Sequence, residues 1–273
     1  MKLSCLPVSY FDDMLAGRLT IAQWAREAVG LGLDAIDLTR LFFLGLRTKT
    51  LKAIKQAVEA EGIMTLVVNT YPDFTHPDAV ERKRVCRQMK QDINKACIVG
   101  AKIIRVTAGQ AHPETRRNDG IRWALEGLLA LEDTARVHGV TLALENHSKP
   151  GVWQYYDFAY PSDIFLELVE NLRNTSVQVL FDTANTLAYG DAPLPVLEKV
   201  YDRIICVHAA DILAKGSFQP CIIGRGAVPF HTLFHFLKES GYAGWVSIEE
   251  ASRTGKIGVK NAVDFIRKTW NEA

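Results

Sequence analysis

Short apolar runs and longer stretches with helical spacing alternate about eight times along this chain. The runs 3–8, 35–38, 63–69 and 103–107 are each followed by a helical pattern, over 21–31, 50–61, 78–99 and 116–138. The second half repeats the scheme: 140–145, 177–182, 204–208 and 245–249 lead into 163–171, 194–200, 230–240 and 259–270. Near-continuous apolar runs of this length suit strands buried on both faces, as parallel strands are. Strands that alternate with helices of about ten residues or more predict βαβ units and a parallel sheet.

Punctuation supports these boundaries. Gly62, Gly100 and Gly139 stand where a helix end passes into the next strand, a position that favours positive φ. Pro77 with Asp78, and Pro161 with Ser162 and Asp163, offer helix starts. The longest irregular segment, 146–162, reads NHSKPGVWQYYDFAYPS, and a loop of this length in a compact domain suits a lid or binding wall. Eight βα units leave a closed barrel or an open doubly wound sheet. The open dinucleotide-binding sheet would want GxGxxG after its first strand, where this chain has PVSYFDDMLAGRL, so the prediction is one α/β domain over 1–273, a (β/α)8 TIM barrel.

Composition narrows the function. With 273 residues and 48% hydrophobic content the chain can fill such a barrel. Its 32 basic and 31 acidic residues nearly cancel, which gives no global field for nucleic acid or an anionic membrane and favours a small-molecule ligand. The five cysteines lack CxxC spacing and suit a reducing, cytoplasmic compartment. The amino terminus is too short in apolar residues for a signal peptide, and no segment approaches a membrane span.

Four successive strands in the second half end in polar groups: Glu145 in VTLALEN, Asp182 in VQVLFDTAN, His208 in RIICVHAAD and Glu249 in GWVSIEE. Any one of these has an ordinary explanation as a cap or a hydrogen-bonded structural residue. Four in succession do not, because all strands of a barrel point one way and their carboxyl ends share one rim. Three carboxylates and an imidazole without thiolates suit one divalent ion, Mn²⁺, Mg²⁺, Co²⁺ or Zn²⁺, with a coordination position left open. A substrate with a carbonyl beside a hydroxyl can chelate such an ion, which then stabilises the enediolate formed on proton loss. Glu145 and Glu249, on separate strands, are the natural proton carriers.

The strand-end set, FDTAN followed by LAYGDAP in the sixth unit, and GWVSIEE in the eighth, resembles the sugar isomerase/epimerase superfamily of xylose isomerase-like barrels along essentially the whole chain. The resemblance implies metal ligands Glu145, Asp182, His208 and Glu249, with the two glutamates also acting as acid and base on a ketose or related polyol derivative. Substrate contacts are expected from His147, Asn185, Arg225 and Trp153, the last with Tyr155 and Tyr156 as a wall or lid. Arg105 and His112 carry less weight, since a strand arginine can simply pair inside the barrel. Ketose 3-epimerases have DxxH at the sixth strand, where this chain has Asn185, and many relatives have HxKD at the seventh, where it reads His208, Ala209, Ala210, Asp211. A dehydratase of the inosose or 3-dehydroshikimate type is therefore the second reading. An AP-endonuclease-like nuclease would want more histidines and a basic groove, and a non-catalytic sugar-binding protein would not need both glutamates. Relatives are often dimers or tetramers, so a homo-oligomer is left open.

Overall fold

The computed structural model describes residues 1–149 and 151–273. Its ten strands are β1 (Lys2–Leu6), β2 (Ala35–Thr39), β3 (Met64–Asn69), β4 (Ile103–Val106), β5 (Thr141–Glu145), β6 (Gln178–Asp182), β7 (Ile204–Ala209), β8 (Ile212–Ala214), β9 (Ser217–Pro220) and β10 (Trp245–Glu249). The helices are α1 (Phe11–Leu15), α2 (Ile21–Gly30), α3 (Thr48–Ala60), α4 (Ala79–Ile98), α5 (Arg117–Val137), α6 (Ser162–Asn171), α7 (Asn185–Tyr189), α8 (Pro193–Val200), α9 (Phe230–Glu239) and α10 (Lys256–Glu272). Eight strands form one parallel sheet in the order β1-β10-β7-β6-β5-β4-β3-β2, which curls into a nearly closed barrel with helices outside. All eight apolar runs read from the sequence are barrel strands. None of the helices is long and apolar enough to cross a membrane among the described residues.

The seam between β1 and β2 is closed by side chains as much as by backbone. Asp34 N–H donates to Leu3 O at 2.8 Å, and Leu3 N–H donates to the Asp34 carboxylate at 2.8 Å. Beyond them the fully buried Asp37 sits at an irregularity between β2 and β3. Its carboxylate accepts from Ser4 Oγ at 2.9 Å, from Val67 N–H at 3.1 Å and from Ser247 Oγ. One side chain thus ties β1, β2, β3 and β10 and satisfies an amide that the irregular register would leave orphaned.

Side-chain alternation then sets the site. Ile103, Ala143, Leu180 and Cys206 belong to one small buried cluster. Two residues further along the same strands, hence on the same face, stand Arg105, Glu145, Asp182 and His208. The other strand face packs under the helices in a second, larger core. Local signals start several of these helices: Thr20 and Gln23 form a capping box on α2, the Asp78 carboxylate accepts from Val80 N–H at 2.8 Å on α4, and Pro193 opens α8.

The hairpin β8–β9 and the short helices α1 and α7 lie outside the predicted pattern. The hairpin β8–β9 is short and mostly exposed, so it carries no apolar alternation, and it turns through Gly216 at φ +79°. Helices α1 and α7 span five residues each, below the length at which helical spacing can be seen. All three lie at the carboxyl ends of barrel strands.

The long helix α5 also supports that end. Gly120 and Gly127, two turns apart on one face, leave room for the rings of Phe158 and Phe74, which belong to loops capping the barrel. A Cβ on either glycine would collide with the facing ring. Helix propensity alone would make Gly127→Ala stabilising by about 1 kcal/mol. Because the added methyl overpacks Phe74, we expect the opposite sign, a loss of about 1–3 kcal/mol in urea unfolding. Equal or greater stability would show that Phe74 can move aside.

Candidate metal and active site

Strand ends deliver the four predicted groups to one point. Glu145, Asp182 and Glu249 are the last residues of β5, β6 and β10, and His208 is the penultimate residue of β7. One candidate ligand atom from each lies within 4.8 Å of the other three. His208 turns its Nδ1 edge to the carboxylates, 2.7 Å from Glu145 Oε1 and 3.0 Å from Glu249 Oε2. Asp182 uses Oδ1 to accept the Ala184 and Asn185 amides at 2.8 and 2.6 Å, which fixes the start of α7. Asn146 bridges the two central strand ends, accepting from Asp182 N–H at 2.7 Å and donating to Asp182 O at 2.9 Å.

The charges explain one another. Burial pushes the Glu145 carboxyl up, but the Arg105 guanidinium, His208 and His147 outweigh it and bring it down to about 2. Burial would depress His208, yet the Glu145 and Glu249 carboxylates raise it to about 10. Asp182 is held well above the carboxylate range by burial and then by the negative charge of Glu249 and Glu145. The imidazolium proton therefore serves as the local cation among crowded carboxylates. A divalent ion fits the same place: the donors are hard to intermediate, the carboxylates repel one another, and Glu145 Oε2 is buried without a hydrogen-bond partner.

Arg105 stands against the rim cluster. It is 2% exposed, and its Nε stands 2.8 Å from Asn69 Oδ1 and 3.1 Å from Glu145 Oε2. Nη1 donates to Thr70 O at 2.8 Å, and the guanidinium lies over the Tyr71 ring at 4.7 Å. It does pair inside the barrel, but its partner is the proposed catalytic carboxylate. An arginine two residues after a buried isoleucine in an apolar strand was the available signal. His112 instead pairs with Asp73 at 2.8 Å.

A cavity of about 1000 Å³ opens over these strand ends. Asp182, Glu249, Arg105, His147, Asn185 and Tyr71 line its inner part. His147 Nε2 is 3.8 Å from Glu145 Oε2, and burial lowers its pKa to about 4, so the ring is neutral near pH 7. Asn185 Oδ1 is buried without a partner. Trp153 is buried within its loop and Arg225 is exposed in a turn, and neither is among the cavity-lining residues.

The loop that carries Trp153 is tied down. Gln110 pairs with Asp157 across an isolated bridge, and its Oε1 accepts the Gln154 and Tyr155 amides at 2.8 and 3.1 Å. Ala111 N–H donates to Tyr156 O at 2.8 Å, and Phe158 N–H to Gly109 O at 2.7 Å. The described part of this segment is a wall built against the β4–α5 loop; Pro150 lies outside the described residues.

Several known proteins are similar. An inosose dehydratase of Salmonella typhimurium (strain LT2) is 31% identical over 164 residues, 54% of this chain and 51% of that protein, so the match spans about half of the relative's length. An L-ribulose-5-phosphate 3-epimerase of Escherichia coli (strain K12) is 25% identical over 284 residues, 98% of this chain and 96% of that one. Among solved structures, an E. coli 3-keto-D-glucoside 4-epimerase superposes with a TM-score of 0.78 at 18% identity, covering 98% of this chain and 99% of that one. The family described as xylose isomerase-like TIM barrel matches residues 25–269, and with its barrel and rim site in view the chain belongs to that family.

Proposed function

We propose that this protein is a divalent-cation-dependent isomerase or epimerase of a ketose or related sugar derivative. The observation that carries the reading is the convergence of two glutamates from non-adjacent strands, Glu145 and Glu249, on His208 Nδ1 at 2.7 and 3.0 Å. Glu145, Asp182, His208 and Glu249 would hold the cation, which when bound polarises a substrate carbonyl and offsets the negative charge that develops beside it. Relatives named as sugar epimerases support the substrate class.

The chain's own groups divide the remaining work. Arg105 keeps Glu145 ionised and fixes its orientation, so Glu145 can take a proton from the carbon next to the carbonyl. Glu249, arriving from β10 and protonated at the start of this direction, would give its proton to the other face, which inverts the carbon and leaves Glu145 protonated and Glu249 ionised, a pair that exchange with water resets; return of the Glu145 proton to the neighbouring carbon would give isomerisation. Neutral His147 and Asn185 offer hydrogen bonds to substrate hydroxyls.

A dehydratase is the second reading, favoured by the match to inosose dehydratase; there the proton that Glu145 takes from carbon would pass to the departing hydroxyl, which leaves as water, while neutral His147 beside Glu145 would hold that hydroxyl by a hydrogen bond. Both reactions begin with the same proton abstraction. A new enone absorbance separates the dehydratase from the epimerase, which yields only a new sugar.

Glu145→Gln and Glu249→Gln are each expected to lower kcat by about 100-fold or more, the scale of a lost general acid or base. Incorporation of solvent deuterium into recovered ketose is the readout; exchange at the wild-type rate in both variants would remove the proposed proton carriers.

Cation binding is testable without turnover. Chelator-treated protein supplied with Mn²⁺, Mg²⁺, Co²⁺ or Zn²⁺ at about 100 times its Kd should gain about 2.7 kcal/mol of unfolding free energy. The gain should shrink sharply in Asp182→Asn. An unfolding curve that none of the four ions shifts would argue against the metal assignment.

A further inference from the structure

The cavity is larger and more apolar at its mouth than a free sugar requires. At about 1000 Å³ it reaches the upper end of the range that encloses drug-sized ligands, about 300–1,000 Å³. A single pentose or hexose would occupy only its inner, polar part around Asp182, Glu249 and Asn185. The outer part is lined by Phe11 and Leu15 of α1, Leu41 after β2, Val152 of the β5–α6 loop and Phe218 of β9. Leu15, Val152 and Phe218 are 52%, 59% and 43% exposed, unusual for large apolar side chains that converge on one opening.

Charge at this mouth selects among possible occupants. Asp12 and Asp13 face Arg18, Lys149 and Arg253 around the opening, and Arg18 is engaged by Asp13 at 2.7 Å. Two acidic side chains thus stand among three basic ones, one of which is already paired, so no concentrated cationic cradle of the kind that fixes a phosphate is present among these residues. We infer that the substrate is a ketose bearing an uncharged apolar or aromatic substituent at the end remote from its carbonyl, seated between Phe218, Val152 and α1. This rests on the reading of the inner site as sugar-directed, and it adds which derivative the site takes. The hairpin β8–β9 and α1 are the elements that build this outer subsite.

Direct binding tests it. The cation-supplemented protein is titrated calorimetrically with D-fructose, D-fructose 6-phosphate and 6-O-benzyl-D-fructose, and then the same is done with Phe218→Ser and Val152→Ser. The expected result is at least tenfold tighter binding of the benzyl ether than of D-fructose, with that ratio falling to threefold or less in either variant. Equal affinities, preference for the phosphate, no binding of the benzyl ether, or a ratio insensitive to both variants would overturn the inference. Deuterium exchange in the same three sugars keeps the two ideas apart: benzyl preference without exchange sustains the outer subsite and removes the proton-transfer reading, whereas exchange without benzyl preference does the reverse.

Discussion

A fully buried carboxylate, Glu145, can stay ionised only if fixed positive charge surrounds it, and the upper half of the barrel is organised around that requirement. Arg105 supplies one charge from β4 and His208 another from β7, so the strand on either side of the β5–β6 pair contributes a partner. Arg105 is in turn held by Asn69 and by Thr70 O and covered by Tyr71, which extends the dependence to β3 and its loop. Removing Arg105 would leave the buried Glu145 carboxylate short of a compensating charge, rather than cost a surface contact.

The surrounding loops are positioned by the same economy of buried polar groups. Asp211, just past β7, accepts four backbone amides, from Ile212, Gly224, Gly226 and Val228 at 2.9–3.2 Å, and so folds the β8–β9 region back over the rim. Gly226 is required there because a Cβ would strike the Asp211 carboxylate and Ile212 O. Gln110 does the equivalent for the aromatic segment on the opposite side. Function-bearing loops of a barrel are often mobile, but here each is anchored by one side chain that answers several backbone donors.

The two ends of the cavity reflect different physical demands. Its floor concentrates charge, where three carboxylates and an imidazole crowd into a place that could hold a divalent ion. Its mouth has mixed charge and exposed apolar side chains, so it gains more by covering surface than by pairing ions. A ligand that satisfies both must be polar at one end and apolar at the other.

The barrel and its four convergent groups are written locally along the chain, because strand burial demands apolar runs and a polar residue that closes such a run emerges at the rim. Glu145, Asp182, His208 and Glu249 were legible for that reason, down to the strand that bears each one. What the tertiary structure alone decided was partnership. Whether Arg105 is a passive strand residue or the counter-ion of Glu145 depends on the strand-to-strand register, and Ile103, Arg105 and Val106 face Thr141, Ala143 and Leu144 by pairing that no local pattern encodes. The same holds for Asp37, whose four-strand junction unites it with Ser247, 210 positions apart. Periodicity is a property of neighbours in sequence, whereas charge compensation and cavity shape belong to neighbours in space.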